Sequence, residues 1–462
     1  MKKKESFIKG IVYLLISQIF IKVVGLAYKL YLTNKNGFGD EGNAIYSSGF
    51  QIYALLLAFS STGVPSAISK LVAERLAAGD SKGAHKIFKI AFITFAIFGG
   101  LGSIILFLSA RKIAIDWMQM PEAESSIICL SPSVFFVSII SVFRGYFNGR
   151  QKFTITAKSQ SIEQVFKTIL TILLVEIVTY LSRNNIGIMA GAANLATTIA
   201  TIISFYYVYI YYTIKKSEIG QEIKQTVNYK PTRIRKTLKK ILSVSIPISL
   251  SSIISSFNKN IDSFTVVRFL KKIISEDEAK MQYGILSGKI DTLCSVALSL
   301  NVAFVTVFIP NITKSFVKGD TINTNKKIYI FIFITLIIGI PITLIMFFFP
   351  NIIIELLFPN ANSGEVYLKA SSICIIFMLL NQTINAILQS LGRVNIPPIS
   401  SAIGMLLKFL CNIILIPNPK FGIFGAIIGN IICNVISFCI SSVVLINALN
   451  KLKKVTLLHK MI

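Results

Sequence analysis

Charged and amide side chains recur inside the long apolar runs of this 462-residue chain, and any chemistry must be sought there. The run 7–31 carries Lys22 and Lys29, and the run 44–67 carries Gln51. Glu163, Lys167 and Glu176 lie in 161–181; Asn258, Lys259, Asn260 and Asp262 lie in 241–267. The run 284–309 has Lys289 and Asp291, 366–389 has Asn381, Gln382 and Asn385, and 396–416 has Lys408. A charge at the centre of a bilayer costs about 2.5–3.5 kcal/mol, so such residues should line a wet interior, pair, or snorkel. Lys29, Lys289 and Lys408 lie nearer run ends, where a long stem can reach an interface. Glu163 and Lys167, four apart on one helical face, are spaced to pair. Lys22 and Asp262 are more central. Lysines around a cavity suit an anion such as phosphate or pyrophosphate. The candidate cavity residues are therefore Lys22, Lys29, Gln51, Lys259, Asp262 and Lys289. Asp262, Asp291 and Glu163 are candidates for holding a coupling ion or neutralising a cation.

Other chemistries find no support. The six cysteines all lie in apolar runs without a CxxC pair, which suits small packing residues. Two histidines, His85 and His459, are too few for a histidine metal site, and no cofactor is expected. There is no nucleophile elbow or Walker loop. A membrane-embedded enzyme would need clustered Asp, Glu or His at an interface, whereas Glu163, Asp262 and Asp291 occupy different runs. The residues point to binding, not catalysis.

The elements that position these side chains follow from composition. Hydrophobic residues make up 53% of the chain, and mean hydropathy is +0.70. Charged residues are 15%, against roughly 25% in a soluble domain. Runs near the ~20 residues of a spanning helix recur along the whole length, without the short alternating segments of a barrel. They read as an all-α polytopic membrane protein of twelve spans, near 7–31, 44–67, 87–109, 126–147, 161–181, 187–213, 241–267, 284–309, 327–349, 366–389, 396–416 and 422–447. The first reads as a retained helix, since no small-residue cleavage site follows it. Lys and Arg concentrate at both termini and in every second loop, while Asp40-Glu41 and Glu276-Asp277-Glu278 fall in the others. By the positive-inside rule both termini are cytoplasmic, which requires an even span count. The net charge of +27 then has a membrane explanation, and a nucleic-acid partner is not expected.

The chain also repeats itself. Pro65 corresponds to Pro310, Gly79-Asp80 to Gly319-Asp320, Lys86 to Lys326 and Gly149-Arg150 to Gly392-Arg393, at offsets of 240 to 245 residues. Each half holds six spans, so the halves enter the membrane from the same side and relate by a pseudo-twofold along its normal. The expected organisation is a six-helix lobe over 1–213, a basic cytoplasmic linker over 214–240 and a second six-helix lobe over 241–462. Two such lobes around a cavity suit alternating access. Lys22 and Asp262, 240 residues apart, would face each other across the pseudo-axis.

Several strings carry a family resemblance: GVPSAISKLVAERLAAGD after the second run, RGYFNG at 144–149, IEQVFK at 162–167, IDSFTVVR at 261–268 and YGILSGKIDTL at 283–293. In this order the chain resembles the stage V sporulation protein B and lipid II flippase group of the multidrug/oligosaccharidyl-lipid/polysaccharide exporter superfamily. The resemblance implies a V-shaped two-lobed fold in the bacterial cytoplasmic membrane. It also implies flipping of an undecaprenyl-pyrophosphate-linked precursor, lipid II-like or a polysaccharide repeat unit, to the outer leaflet. Lys22 falls on the first cavity-arginine position of that group; the second falls on Tyr28, with Lys29 adjacent. The flippases usually have fourteen spans, the last two forming a lipid-tail groove, where this chain reads as twelve. The expected partners are the anionic lipid-linked substrate and membrane lipids, with the protein a monomer. The alternative on the same fold is a cation-coupled multidrug and toxin extrusion antiporter, which generally uses cavity carboxylates.

Overall fold

The computed structural model describes residues 7–461 except 59, 61–62, 182–184, 227–228, 230–232 and 318. The N-terminal Lys2–Lys4 and part of the expected 214–240 linker lie outside the described residues. The helices are α1 (Phe7–Asn34), α2 (Gly39–Ala58), α3 (Val64–Ala77), α4 (Ser81–Lys112), α5 (Ala123–Gly149), α6 (Phe153–Leu181), α7 (Ile186–Lys224) and α8 (Ile234–Leu270). After them come α9 (Glu276–Gly284), α10 (Asp291–Val317), α11 (Thr321–Phe348), α12 (Pro350–Leu357), α13 (Glu365–Ser390), α14 (Ile396–Leu415) and α15 (Phe424–Met461). Ile113–Trp117, which extends α4, and Ile285–Ile290, which precedes α10, are π-helical.

Nine helices among the described residues are long and apolar enough to cross a membrane. The chain is a multi-pass, all-helical membrane protein. The three remaining expected spans coincide with α2 and the start of α3, with α8, and with the π-segment plus α10. Outward faces of α4 and α11 present Ile97, Leu101, Leu108, Phe333, Ile337 and Leu344, as hydrocarbon contact requires.

The chain separates into two compact units, residues 1–38 with 45–263, and residues 39–44 with 264–462. The boundary therefore falls within α8, not ahead of it, and the first turn of α2 belongs to the second unit. In the first unit Phe88, Phe143, Tyr146, Phe147 and Val72 form the core around α3, α4 and α5. In the second, Ile312, Phe331, Ile387 and Leu445 do the same, with Phe308 stacked on Phe331 at 4.6 Å.

Between lipid-facing helices the hydrophobic effect supplies little, and close approach of small residues takes over. The RGYFNG string does this work. Gly145 and Gly149 stand four apart on α5; a β-carbon on either would press into α3, 2.9 Å from Pro65 Cα and 2.7 Å from the Ser69 carbonyl.

The repeat recurs as geometry. α3 and α10 end in the same way: Gly79 and Gly319 take φ of 74° and 72°. Asp80 N–H then donates to Arg75 O at 2.9 Å, and Asp320 N–H to Ser315 O at 3.1 Å, closing a Schellman turn. Each aspartate next caps the following helix, accepting from Gly83 N–H at 2.6 Å or Asn323 N–H at 3.1 Å. The second corner corrects the sequence register. The left-handed residue matching Gly392 (φ 78°) is Gln151 (φ 60°), not Gly149. Lys152 N–H to Phe147 O at 2.9 Å matches Arg393 N–H to Leu388 O at 2.8 Å. The offset between corners tightens to 240 and 241 residues.

Candidate functional site

The central charges of the first unit come from α1 and α8. Lys22 on α1 and Lys259 on α8 are both exposed, and the charge of Lys259 acts on Lys22. Two like charges repel, and an anion between them relieves that repulsion. Asp262, three residues on and therefore on the neighbouring face, is buried at 7% exposure. Between them Asn260 ties α8 to α2: its amide donates to Gln51 O and to Ser256 O, both at 3.0 Å. Gln51 thus enters the arrangement through its carbonyl.

Deeper in the same unit an aromatic cluster surrounds two more lysines. Lys29 Nζ lies 4.3 Å from the Tyr46 ring centroid. Lys167 Nζ lies 5.0 Å from that of Tyr28 and 4.3 Å from that of Phe50. The Tyr28 and Tyr46 hydroxyls are 3.3 Å apart, and the charges of both lysines act on Tyr28. Ammonium groups over ring faces are stabilised by the ring quadrupole.

The expected Glu163–Lys167 pair does not form. Glu163 accepts from Arg144 of α5 at 2.7 Å, and Arg144 also donates to Ser159 and Ser204. A guanidinium reaches three partners at once, which a lysine one turn along the same helix cannot match.

Lys289 belongs to the second unit and is fully buried. Its ammonium donates to Asp40 Oδ2 at 2.8 Å, Ala361 O at 2.6 Å and Ser363 O at 2.9 Å. Three N–H groups meet three acceptors, so Lys289 is occupied by the protein itself. Lys408, 1% exposed, is also buried, its stem against Gly429 of α15. Neither lysine snorkels, because neighbouring helices enclose both. Asp291, half-buried, opens α10, and its charge and that of Lys408 both reach Cys374.

The structure thus ties the Gln51 carbonyl to α8 through Asn260 and leaves Lys22 and Lys259 exposed in the same unit, with Lys29 over Tyr46 and Lys289 in the second unit. Sequence reasoning missed Arg144 and Asp40 as partners. Arg144 was visible as an arginine inside an apolar run; Asp40 carried no signal beyond its place in a loop between runs.

Long apolar helices in two units, with polar residues inside the spans, define the class: a polytopic helical membrane protein whose fold is shared with solved transporters. The inward-facing structure of a multidrug-resistance MATE-family transporter of the MOP superfamily superposes with a TM-score of 0.75 at 16% identity, covering 95% of this chain and 99% of the other. The model of the polysaccharide biosynthesis protein family matches residues 7–316, and the chain belongs to that family. A MatE model matches residues 283–414. The chain is 24% identical to the lipid II flippase MurJ of Bacillus subtilis over 430 residues, 89% of this chain and 78% of the relative. It is also 24% identical to stage V sporulation protein B of the same organism over 428 residues, 92% and 80% of the two chains.

Proposed function

We propose that this protein is a flippase that carries an undecaprenyl-pyrophosphate-linked cell-envelope precursor from the cytoplasmic to the outer leaflet by alternating access. The observation that carries this reading is two exposed lysines of the first unit, Lys22 and Lys259, inside apolar helices of a chain of the polysaccharide biosynthesis family. A pyrophosphate bears the opposite charge and can accept from both ammonium groups. Catalysis plays no part: the precursor is moved unchanged, by a monomer. Asp262 and Asp291 are the carboxylates this reading assigns to a coupling cation. The twelve-span arrangement with both termini cytoplasmic belongs to the same proposal.

The test is leaflet accessibility of the lipid-linked precursor in cells that depend on this protein. Lys22→Ala and Lys259→Ala should each lower translocation at least tenfold at unchanged protein level. Wild-type translocation in both variants would overturn the cationic-cavity mechanism. The antiporter alternative draws on the MatE match over 283–414. It would place a coupling cation on a carboxylate, and two of the acids, Glu163 and Asp40, are already paired with Arg144 and Lys289. Dye efflux that survives Lys22→Ala would favour it.

A further inference from the structure

One face of α6 carries several hydrogen-bond donors short of acceptors. Lys167 is 7% exposed, yet among the described residues no carboxylate lies within ion-pair distance of it. Its ammonium lies over the rings of Tyr28 and Phe50, and among the described residues the Tyr28 hydroxyl is the one acceptor for its three N–H groups. The acid one turn away, Glu163, is held by Arg144 at 2.7 Å. One turn along, Thr171 is wholly buried and its Oγ1 has no hydrogen-bond partner. On the other side Gln164 Nε2 is likewise buried without a partner, and it points at Gly25 of α1, where a β-carbon would come within 3.4 Å. Residues 164, 167 and 171 share a helical face. That face meets α1 along the stretch between Lys22 and Lys29: Thr168 donates to Val24 O at 3.4 Å, and Lys167 reaches Tyr28.

A buried ammonium costs free energy unless an opposite charge or several acceptors compensate it, and each buried unpaired donor adds a further penalty. Ring faces compensate a cation only in part. An ammonium, an amide N–H₂ and a hydroxyl on one face, all short of acceptors, are matched by a group with several anionic oxygens and no donors. We propose that Lys167, with Gln164, Thr171 and the Tyr28 hydroxyl, forms an inner anion subsite for a phosphate group, distinct from the exposed Lys22–Lys259 pair. The inference rests on the flippase reading, in which one phosphate of the pyrophosphate linkage occupies this subsite while the outer lysines hold the other.

The test is calorimetric titration of the purified full-length protein with inorganic pyrophosphate and, in nanodiscs, with undecaprenyl pyrophosphate. Lys167→Met should weaken binding at least tenfold, Thr171→Val about threefold, and Lys167→Arg should stay within about threefold of wild type. Lys22→Ala serves as the outer-site control. Loss with undecaprenyl pyrophosphate alone assigns the subsite to the lipid headgroup; loss with both assigns it to phosphate groups of either source. If Lys167→Met lowers thermal stability but binds as wild type while Lys22→Ala is weakened, Lys167 only packs against the rings. The subsite is then wrong and the flippase reading stands. If wild type binds neither ligand, both readings fall.

Discussion

At the scale of single residues, the lysines divide by what surrounds them. Lys289 is enclosed and saturated; Lys22 is exposed. Replacing one partner of a buried ion pair strands the other, at roughly 3–5 kcal/mol, whereas removing both is far milder. Lys289→Met should therefore destabilise the protein by about that amount, and Lys289→Met with Asp40→Leu should lose clearly less than the two single changes summed. Lys22→Ala should shift stability by no more than about 0.5 kcal/mol. Unfolding of the purified proteins in detergent measures both. Additive losses for Lys289 and Asp40 would show that the pair is not coupled. These roles could not be separated in the sequence. Both residues read as lysines in apolar runs, but the partner that decides the matter for Lys289 lies 249 positions away. The same reason hid the Arg144–Glu163 pair: spacing along one helix reveals only neighbours on that helix, and here the stronger donor comes from another.

At the scale of elements, hydropathy located the helices well because the bilayer imposes one length and one composition on each. Their ends depended on short polar signals. Gly79-Asp80 and Gly319-Asp320 were legible, since glycine at C′ followed by an aspartate cap is a local code. The second corner was misregistered because its first-half copy has Gln151 in the left-handed position, where the glycine code is missing. That departure yields a prediction. A non-glycine residue at φ 60° carries strain, so Gln151→Gly should stabilise the protein by about 0.5–1 kcal/mol despite the added chain entropy. Gly392→Ala should destabilise it by a similar amount. Melting temperatures in one detergent would check both, and a lower value for Gln151→Gly would overturn the corrected register. The π-segments had no legible signal, because an extra residue in a helical turn follows from tertiary packing and not from residue type.

At the scale of the whole molecule, the open matter is which side of the membrane each end occupies. The ends of α7 and α8 that flank the linker carry Lys215, Lys216, Lys224, Arg233, Arg235, Lys236, Lys239 and Lys240. Each such charge near an anionic cytoplasmic leaflet is worth about 1 kcal/mol, so together they set orientation strongly. The opposite ends of α1, α8 and α11 lead into Asp40, into Glu276–Glu278 and into the amphipathic α12. Trp117, half exposed where α4 ends, is an interfacial anchor of the kind found at membrane boundaries. If α2, α8 and α10 cross along with the nine clearly apolar helices, both termini share the linker's side. Alkaline phosphatase inserted between α12 and α13, at 360–363, should then be active, and insertions at 226 or after 450 should be silent. A fluorescent protein that matures only in the cytoplasm should give the reverse. Activity at 226 would invert the topology, and with it the side from which Lys22 and Lys259 first meet their substrate. Opposite readings at 226 and after 450 would mean that an odd number of spans lies between them, and the six-plus-six repeat would lose its parallel entry.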